Sequence, residues 1–212
     1  MLNREEWLKD RQSGIGASEA SAIVGASPYQ TNIELWEEKT GRRENSDISD
    51  KECVQYGNAA EPLLRQLFAL DHPQYEVTYT EYDVIRNEKY PFILATLDGR
   101  LKHKETLLPG ILEIKTADIL KSEQWKKWDN RIPENYYIQV LHQLLATGWE
   151  FAILKAQLKH TRSHDIRLDT RHYYIERRDI KDDLDYLLEK EIKFWEYVQS
   201  GKRPPLALPD IA

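Results

Sequence analysis

The spacing of apolar residues changes along the chain and divides it into regions of different secondary structure. Up to residue 71, apolar positions recur every three or four residues, the period of helices that bury one face. From residue 75 to residue 117, and again after residue 148, apolar, β-branched and aromatic side chains alternate or run together as in strands. Residues 133–147 and 179–200 return to the helical period. The pattern predicts helices around a mixed central sheet, an α/β (α+β) fold.

About five segments are predicted as strands of that sheet. They are YEVTYTEYDVI (75–85), FILATLDGRL (92–101), ILEIKTA (111–117), WEFAILKAQL (149–158) and RHYYIER (171–177). No repeat and no linker divides the chain, so we expect a single domain over residues 1–212. Within it, helices occupy residues 1–52, the core spans 53–178, a helix spans 179–200, and residues 201–212 form an extended tail.

Several helix ends carry sequence signals. Asn3 and Thr31 each stand three residues before a glutamate, which is the spacing of a capping box. Ser18 and Asp179 are predicted to cap the helices that follow them. Pro62 lies within an apolar helical segment, where it predicts a kink or a helix start.

Composition narrows the class of protein. Of 212 residues, 41% are hydrophobic and 31% are charged, values typical of a soluble globular chain. No apolar run approaches the roughly 20 residues that a membrane-spanning helix needs, and the N-terminal MLNREEWLKD lacks a signal-peptide core. Cys53 is the only cysteine, which excludes an internal disulfide and a multi-cysteine zinc site. We therefore expect a cytoplasmic protein with no membrane segment.

The net charge of −6 is unevenly distributed. Residues 1–99 carry 18 acidic and 10 basic side chains, whereas residues 100–131 carry 5 acidic and 8 basic ones. A local basic track can bind phosphates while an acidic total limits non-specific binding to nucleic acid. Charge alone leaves a merely solvated basic surface equally open.

Two charged residues interrupt the apolar segment ILEIKTA. Glu113 and Lys115 are two positions apart, so their side chains lie on the same face of a strand. Asp98, on the preceding predicted strand, can lie close to Glu113, and carboxylates so placed suit Mg²⁺. With a lysine beside them, they are the equipment for metal-assisted phosphodiester hydrolysis. A hairpin turn at Asp98 and an ordinary ion pair between Glu113 and Lys115 would explain the same spacing.

Five blocks of the sequence together resemble one protein family. They are WLKDRQSGIGASEASAIVG, YGNAAEPLLRQLF, LATLDGRL, LEIKTA and YYIQVLHQLLATG, in that order from Trp7 onwards. This order is similar to that of the YqaJ-type viral recombinases, lambda exonuclease-like enzymes of the PD-(D/E)xK nuclease fold. Leu97 replaces the proline of the motif, which is not a metal ligand. The resemblance implies a single PD-(D/E)xK nuclease-like domain.

The resemblance also implies roles for individual residues. Asp98 and Glu113 match the acidic ligands of Mg²⁺, for which Mn²⁺ can substitute, and the backbone carbonyl of Ile114 is a third ligand. Lys115 matches the catalytic lysine. Glu61 matches an additional acid that acts through a water molecule or a second Mg²⁺, although alone it would be interpreted as an exposed helix glutamate.

One predicted helix supplies a further residue of the implied site. Gln139 matches a glutamine beside the scissile or terminal phosphate, whereas Gln143, one turn further on, is expected to be solvated. His142 between them is interpreted as structural.

Arg11, Ser18 and Thr96 match the positions of a 5′-phosphate pocket, which the resemblance places mainly in residues 1–52. Arginine offers several fixed donors to a phosphate, and a small hydroxyl and helix N-terminal N–H groups add more. A terminal phosphate carries more charge than an internal diester, so such a pocket can select DNA ends. A capping turn without a ligand is the alternative for GIGASE.

The function implied is an Mg²⁺-dependent 5′→3′ exonuclease of phage-type recombination. It would act on double-stranded DNA ends, leave 3′ single-stranded overhangs for a single-strand annealing protein, and form a homo-oligomer, a ring-shaped trimer. An endonuclease of the same fold, of the restriction or junction-cleaving type, is one alternative, and a non-catalytic DNA-end-binding module is another. The end pocket disfavours the first, and the intact set of acids and lysine disfavours the second.

Trp125 and Trp128 lie in a basic stretch, KSEQWKKWDNR. Stacking on DNA is one use of such tryptophans, but burial in the core or in a subunit interface is the favoured interpretation. Four basic residues of the stretch are candidates for contact with a DNA backbone: Lys121, Lys126, Lys127 and Arg131.

Overall fold

The computed structural model describes residues 3–44, 48–162 and 165–208. Within these ranges the strands are β1 (Ile15–Gly16), β2 (Tyr75–Thr78), β3 (Ile85–Arg86), β4 (Ile93–Ala95), β5 (Gly99–His103), β6 (Pro109–Asp118), β7 (Phe151–Arg162) and β8 (Asp165–Glu176). Five of them form a mixed sheet in the order β2-β5-β6-β7-β8, in which only β6 and β7 run parallel. The predicted mixed sheet of five strands is confirmed.

Helices cover both faces of the sheet. They are α1 (Arg4–Gln12), α2 (Ala20–Ile23), α3 (Asn32–Lys39), α4 (Glu52–Asp71), α5 (Ser122–Lys126), α6 (Glu134–Thr147) and α7 (Lys181–Ser200). On one face, Leu64 and Phe68 of α4 pack against Leu112 and Ile114 of β6. On the other face, α6 contributes a run of buried residues to the main core and packs in turn against α7. Strand β6 is therefore enclosed from both sides.

Two segments that the sequence predicts as continuous strands are each divided between two sheets. Residues 75–85 contribute β2 to the large sheet and β3 to a smaller sheet of order β1-β4-β3. Residues 92–101 likewise contribute β4 to the small sheet and β5 to the large one. The chain leaves strand geometry at residues 96–98 because it must pass between the sheets there, and this break frees the Asp98 side chain from the regular ladder.

The capping boxes predicted at Asn3 and Thr31 are present, each with reciprocal side-chain hydrogen bonds. The predictions for Ser18 and Asp179 are wrong. Ser18 lies inside a 3₁₀ turn (Ala17–Glu19), and Asp179 lies inside another (Arg177–Ile180). In both places the chain tightens before the α-helix begins, which moves the cap position along the chain.

Several other predictions from the sequence can be compared with the structure. Helix α4 runs through Pro62 without a break, so Pro62 does not begin a helix. Trp128 is buried in the main core, and Trp125 packs against it, as favoured above. Residues 202–208 form neither helix nor strand, whereas the tail prediction for 209–212 lies outside the described residues. No helix in the described ranges is long and apolar enough to cross a membrane.

A buried ion pair joins the central helix to the C-terminal one. His142 Nδ1 lies 2.6 Å from Glu191 Oε1, and His142 Nε2 lies 3.0 Å from the carbonyl oxygen of Leu94 in β4. Neither side chain of the pair is exposed. Burial lowers the pKa of His142, but the Glu191 carboxylate outweighs burial, so the pKa is raised above its ordinary value. His142 thus has a structural role, as its sequence context indicated.

This pair predicts a pH dependence of stability. A raised histidine pKa stabilises the fold fully below the ordinary value of about 6.5 and loses that contribution as the pH rises through the folded-state pKa. We therefore expect the free energy of unfolding of the wild type to fall relative to that of His142→Gln as the pH increases from about 6. Chemical denaturation across this pH range measures the difference. The free energy of unfolding of the wild type should fall in the same way relative to that of Glu191→Gln, which also lacks the ion pair. A difference independent of pH would contradict the charged pair.

Candidate functional site

Strand β6 carries the acid and the lysine that the sequence singled out. Glu113 is 1% exposed, and Lys115 Nζ lies 2.6 Å from its Oε1, with the lysine side chain 20% exposed. The ammonium also lies 5.2 Å from the centre of the Tyr136 ring. A carboxylate is costly to bury unless it is paired, so the pair explains how Glu113 can occupy a core strand.

Two glutamines of α6 complete the surroundings of Glu113. Gln139 Nε2 donates to Oε1 over 2.6 Å, and Gln143 Nε2 donates to Oε2 over 2.5 Å. Gln143 has no exposed surface, so the expectation that it is solvated was wrong. Residues 139 and 143 are one helical turn apart and lie on the same helix face, and that face is turned towards β6. Both oxygens of Glu113 are thereby fixed in orientation.

Asp98 comes next to Glu113 because of the break between β4 and β5. Its Oδ2 accepts the backbone N–H of Ile114 over 2.8 Å. β5 pairs with β6 only as far as Leu112, so Asp98 takes the place of a strand partner at the next free N–H of that edge. The N–H and C=O of one strand residue point to the same edge. The Ile114 carbonyl is therefore directed to the side on which Asp98 lies.

The acids disfavour one another's charge. Burial raises the pKa of Asp98 well above its ordinary range, and the nearby Glu113 carboxylate raises it further. Burial also raises the pKa of Glu61, to which Glu113 adds, although Arg65 opposes the shift. Burial lowers the pKa of Lys115, but Glu113 and Asp98 outweigh it and raise the pKa above its ordinary value. The site thus holds one cationic lysine that is stabilised by Glu113 and Asp98.

Glu61 reaches the site from a different element and has a basic partner of its own. It lies in α4 and forms an ion pair with Arg65, one turn later, over 2.9 Å. Arg65 in turn lies over the ring of Tyr79, 3.6 Å from its centre. Across the described ranges, no group of three or more His, Cys, Asp and Glu side chains is arranged to hold a metal ion. A direct metal contact from Glu61 together with Asp98 and Glu113 is therefore not built into this arrangement.

The site opens into a cavity of about 270 Å³. Its wall includes six of the residues singled out from the sequence: Arg11, Ser18, Glu61, Thr96, Asp98 and Gln139. Arg11 Nη2 lies 3.4 Å from Ser18 Oγ, and Trp7 Nε1 donates to Thr96 Oγ1 over 3.2 Å. Glu113 and Lys115 are not in the wall but join it through the Glu113–Gln139 hydrogen bond. The fold therefore brings the candidate phosphate residues and the candidate acids to one cavity.

The residues present fit a hard divalent cation. Glu113 is a buried oxygen donor, and Asp98 is a partly buried one. Burial and the like charge of Glu113 together raise the pKa of Asp98, and a bound cation relieves that repulsion. Mg²⁺ is held by one or two carboxylates and keeps most of its waters, so a third protein acid is not required. The two carboxylates and the Ile114 carbonyl are the groups that would hold it.

Comparison with known proteins places the chain in a family. The model of the YqaJ-like viral recombinase domain matches residues 6–150. The chain belongs to this family. The matched YqaJ-like region includes Arg11, Ser18, Glu61 and both catalytic candidates of β6, so the whole candidate site lies inside it.

Relatives of the YqaJ-like chain include longer proteins. It is 30% identical over 208 residues to an uncharacterized YqaJ protein of Bacillus subtilis, a match that covers 97% of this chain and 60% of that protein. An uncharacterized protein of Acanthamoeba polyphaga mimivirus is 27% identical over 150 residues, or 68% of this chain and 26% of that protein. The chain thus spans 60% or less of the length of these curated relatives.

Solved structures of exonucleases share the fold of this YqaJ-like chain. The alkaline exonuclease LHK-Exo of Laribacter hongkongensis has a TM-score of 0.70 at 18% identity, with 93% of this chain and 94% of that chain covered. A phage-related exonuclease of Haemophilus somnus has a TM-score of 0.59 at 13% identity, with 89% and 96% covered. At these identities the likeness establishes the fold alone, and it confirms the expected fold class.

Sequence reasoning assigned no role to Trp7 and wrongly placed Gln143 in solvent. The guanidinium carbon of Arg11 lies 4.8 Å from the centre of the Trp7 ring. Trp7 Nε1 also donates a hydrogen bond to Thr96 Oγ1. The four-residue spacing of Trp7 and Arg11 on a predicted helix was a signal for the first. The same spacing of Gln139 and Gln143 was a signal for the second, but it did not reveal which face of the helix is buried.

Gln143 supplies a testable expectation of its own. Replacing it with methionine removes the donor to Glu113 Oε2 while keeping a similar volume. Partners that orient a metal-binding carboxylate typically contribute about 10–100-fold to metal affinity or activity, and we expect a loss of that size. DNA hydrolysis measured against Mg²⁺ concentration tests it, with the exposed Gln66→Met as the matched control. Hydrolysis at the wild-type rate by Gln143→Met would show that this hydrogen bond is dispensable.

Proposed function

We propose that this YqaJ-like protein is a divalent-metal-dependent nuclease that hydrolyses double-stranded DNA from 5′-phosphorylated ends. One observation carries the proposal: a single cavity is lined both by Arg11 and Ser18 and by Asp98 and Gln139. The first pair offers donors for a terminal phosphate, and the second pair belongs to the acidic site. A DNA end held by the first would present its neighbouring phosphodiester to the second.

Each side chain has a part in this proposal. Arg11 binds the terminal phosphate as a charge-assisted donor, and the hydroxyls of Ser18 and Thr96 add hydrogen bonds. Asp98 and Glu113, with the Ile114 carbonyl, would hold Mg²⁺, which when bound offsets negative charge on a phosphodiester as a Lewis acid.

Lys115 and Gln139 complete these assignments. Lys115 supplies a positive charge beside the scissile phosphate, where charge increases as the bond breaks. Gln139 orients Glu113 and borders the cavity, where its amide can contact the phosphate.

The direction of digestion follows from the same arrangement. A pocket that binds a 5′-phosphate fixes which end enters, so we propose 5′→3′ digestion that leaves a 3′ overhang. LHK-Exo has been solved in complex with dAMP, in a structure with a TM-score of 0.60 to this chain at 19% identity and coverage of 93% and 98%. By likeness of fold, we extend nucleotide binding to this chain.

A digestion with three matched substrates tests the proposal. They are linear duplex DNA with 5′-phosphate ends, the same duplex with 5′-hydroxyl ends, and covalently closed circular duplex, each incubated with Mg²⁺, with Mn²⁺ and with EDTA. We expect loss of linear DNA only, fastest with 5′-phosphate, and none in EDTA. Strand-specific end labels report the direction.

Other results would select the alternatives. Cutting of the closed circle would indicate an endonuclease of the same fold, and binding of ends without any cutting would indicate a DNA-end-binding module. Equal rates on the two linear substrates would contradict the 5′-phosphate pocket.

Several implications of the family resemblance stay predictions. They are the role in phage-type recombination, the single-strand annealing partner, the ring-shaped trimer, the cytoplasmic location, and the assignment of residues 1–212 to one exonuclease domain.

A further inference from the structure

A buried lysine outside the cavity connects the segments that carry its phosphate residues. Lys39, the last residue of α3, has a side chain only 4% exposed. Its Nζ lies 2.8 Å from Glu19 Oε2 and donates to the backbone carbonyl of Arg11 over 3.2 Å. Arg11 is in the last turn of α1, and Glu19 follows Ser18 in the 3₁₀ turn. One ammonium therefore contacts both of the elements that carry Arg11 and Ser18.

Glu19 is a carboxylate in an unfavourable place for an anion pocket. Its Oε2 accepts the Gly16 N–H over 2.8 Å. The same oxygen and Arg11 Nη2 both lie within 3.5 Å of the point where a Cβ on Gly16 would stand. An anionic oxygen is thus a near neighbour of the guanidinium that we assign to the phosphate.

Arg11 nevertheless remains available. Its side chain contacts Ser18 Oγ and the ring of Trp7, and among the described residues it forms no ion pair with Glu19 or any other acid. Glu19 is instead held by Lys39, which neutralises it, and by the Gly16 N–H. The Glu19 side chain is only 19% exposed, and a largely buried carboxylate without a cationic partner is unfavourable. If Lys39 is removed, the Arg11 guanidinium across Gly16 is a cation that can pair with Glu19 instead.

We propose that Lys39 is a positioning residue that sets the preference for 5′-phosphorylated ends. It holds the Glu19 carboxylate away from Arg11 and fixes the end of α1 through the Arg11 carbonyl, so that the guanidinium stays free for a terminal phosphate. The inference rests on the proposed function, because it concerns the same pocket. It adds a determinant of specificity that has no contact with substrate.

Binding without hydrolysis tests the role of Lys39. Fluorescent duplexes with a 5′-phosphate or a 5′-hydroxyl are titrated with protein in EDTA. The Kd of the 5′-hydroxyl duplex divided by the Kd of the 5′-phosphate duplex measures discrimination. Lys39→Met should lower this ratio by about tenfold, the size expected for one charge-assisted contact. Arg11→Ala serves as the reference for full loss, and Lys9→Met, an exposed lysine of α1, should leave the ratio unchanged.

A double variant separates electrostatic positioning from simple loss of structure. If Lys39 acts by restraining Glu19, then Glu19→Gln in the Lys39→Met background removes the competing charge and should restore most of the discrimination. A glutamine keeps the acceptor for the Gly16 N–H. A double variant that folds, as judged by circular dichroism, yet discriminates as poorly as Lys39→Met would overturn the proposal. If Lys39→Met alone does not fold, the double variant decides the question.

The outcomes also distinguish this inference from the proposed function. Wild-type protein that binds both ends equally would overturn the 5′-phosphate pocket itself and the inference with it. Wild-type discrimination that survives unchanged in Lys39→Met would overturn only the role of Lys39.

Discussion

Replacing Lys115 with alanine is expected to reduce DNA hydrolysis by about 10³-fold, a loss typical of removing a side chain that stabilises developing charge. Lys115 is the one cation that touches Glu113, over 2.6 Å, within the described residues. Gln139 and Gln143 still donate to both oxygens of Glu113 after the ammonium is removed, so the fold should survive with reduced stability. The measurement is the initial rate on linear 5′-phosphorylated duplex with saturating Mg²⁺.

The exposed Lys102 of β5 offers the matched control. Lys102→Ala also removes a lysine from the large sheet, so any general effect of charge on DNA binding should appear in both variants. If both retained hydrolysis close to the wild-type rate, Lys115 would belong to an ordinary ion pair, the alternative that the sequence left open.

Asp98→Asn is expected to abolish hydrolysis and, without divalent metal, to leave the protein at least as stable as the wild type. The amide keeps an oxygen for the Ile114 N–H but removes a partly buried carboxylate that Glu113 repels. The loss of activity should exceed the roughly 10–100-fold that an outer partner of a metal contributes. Relief of the repulsion should raise Tm, at about 2–4 °C per kcal/mol for a chain of this size.

Thermal unfolding with and without Mg²⁺ completes this test. A metal that binds only the folded state raises its apparent stability, so Mg²⁺ should raise the Tm of the wild type more than that of Asp98→Asn. Asp118→Asn, at the exposed end of β6, is the matched control. An Asp98→Asn protein that cut DNA normally would remove Asp98 from the candidate ligands.

Much of the fold could be predicted from local patterns. The capping boxes at Asn3 and Thr31 join residues three positions apart. Helix α6 ends at Gly148 in the left-handed backbone conformation, which a glycine in the sequence indicates directly. The division of residues 92–101 between two sheets could not be predicted, since both halves have the same strand-like composition. Their separation depends on partners distant in the chain: Ile15–Gly16 pairs with β4, and β2 and β6 pair with β5.

The candidate site divides in the same way. Asp98, Glu113 and Lys115 were predictable because a two-residue spacing and strand neighbours place charges together wherever the strands pair. Gln143 was misjudged because a helix face becomes buried only through what packs on it. Lys39 carried no signal, since its interactions with Glu19 and Arg11 cross three segments of the chain.

By itself, then, the sequence determined the chemical groups and the elements that carry them, because side-chain identity, periodicity and caps are local properties. The tertiary structure alone decided that α6 turns both glutamines onto Glu113, that the break before β5 aims Asp98 at Ile114, and that Arg11 and Asp98 share one cavity. These relations depend on contacts between residues far apart in the chain, where burial and packing select among arrangements that local preference leaves equal.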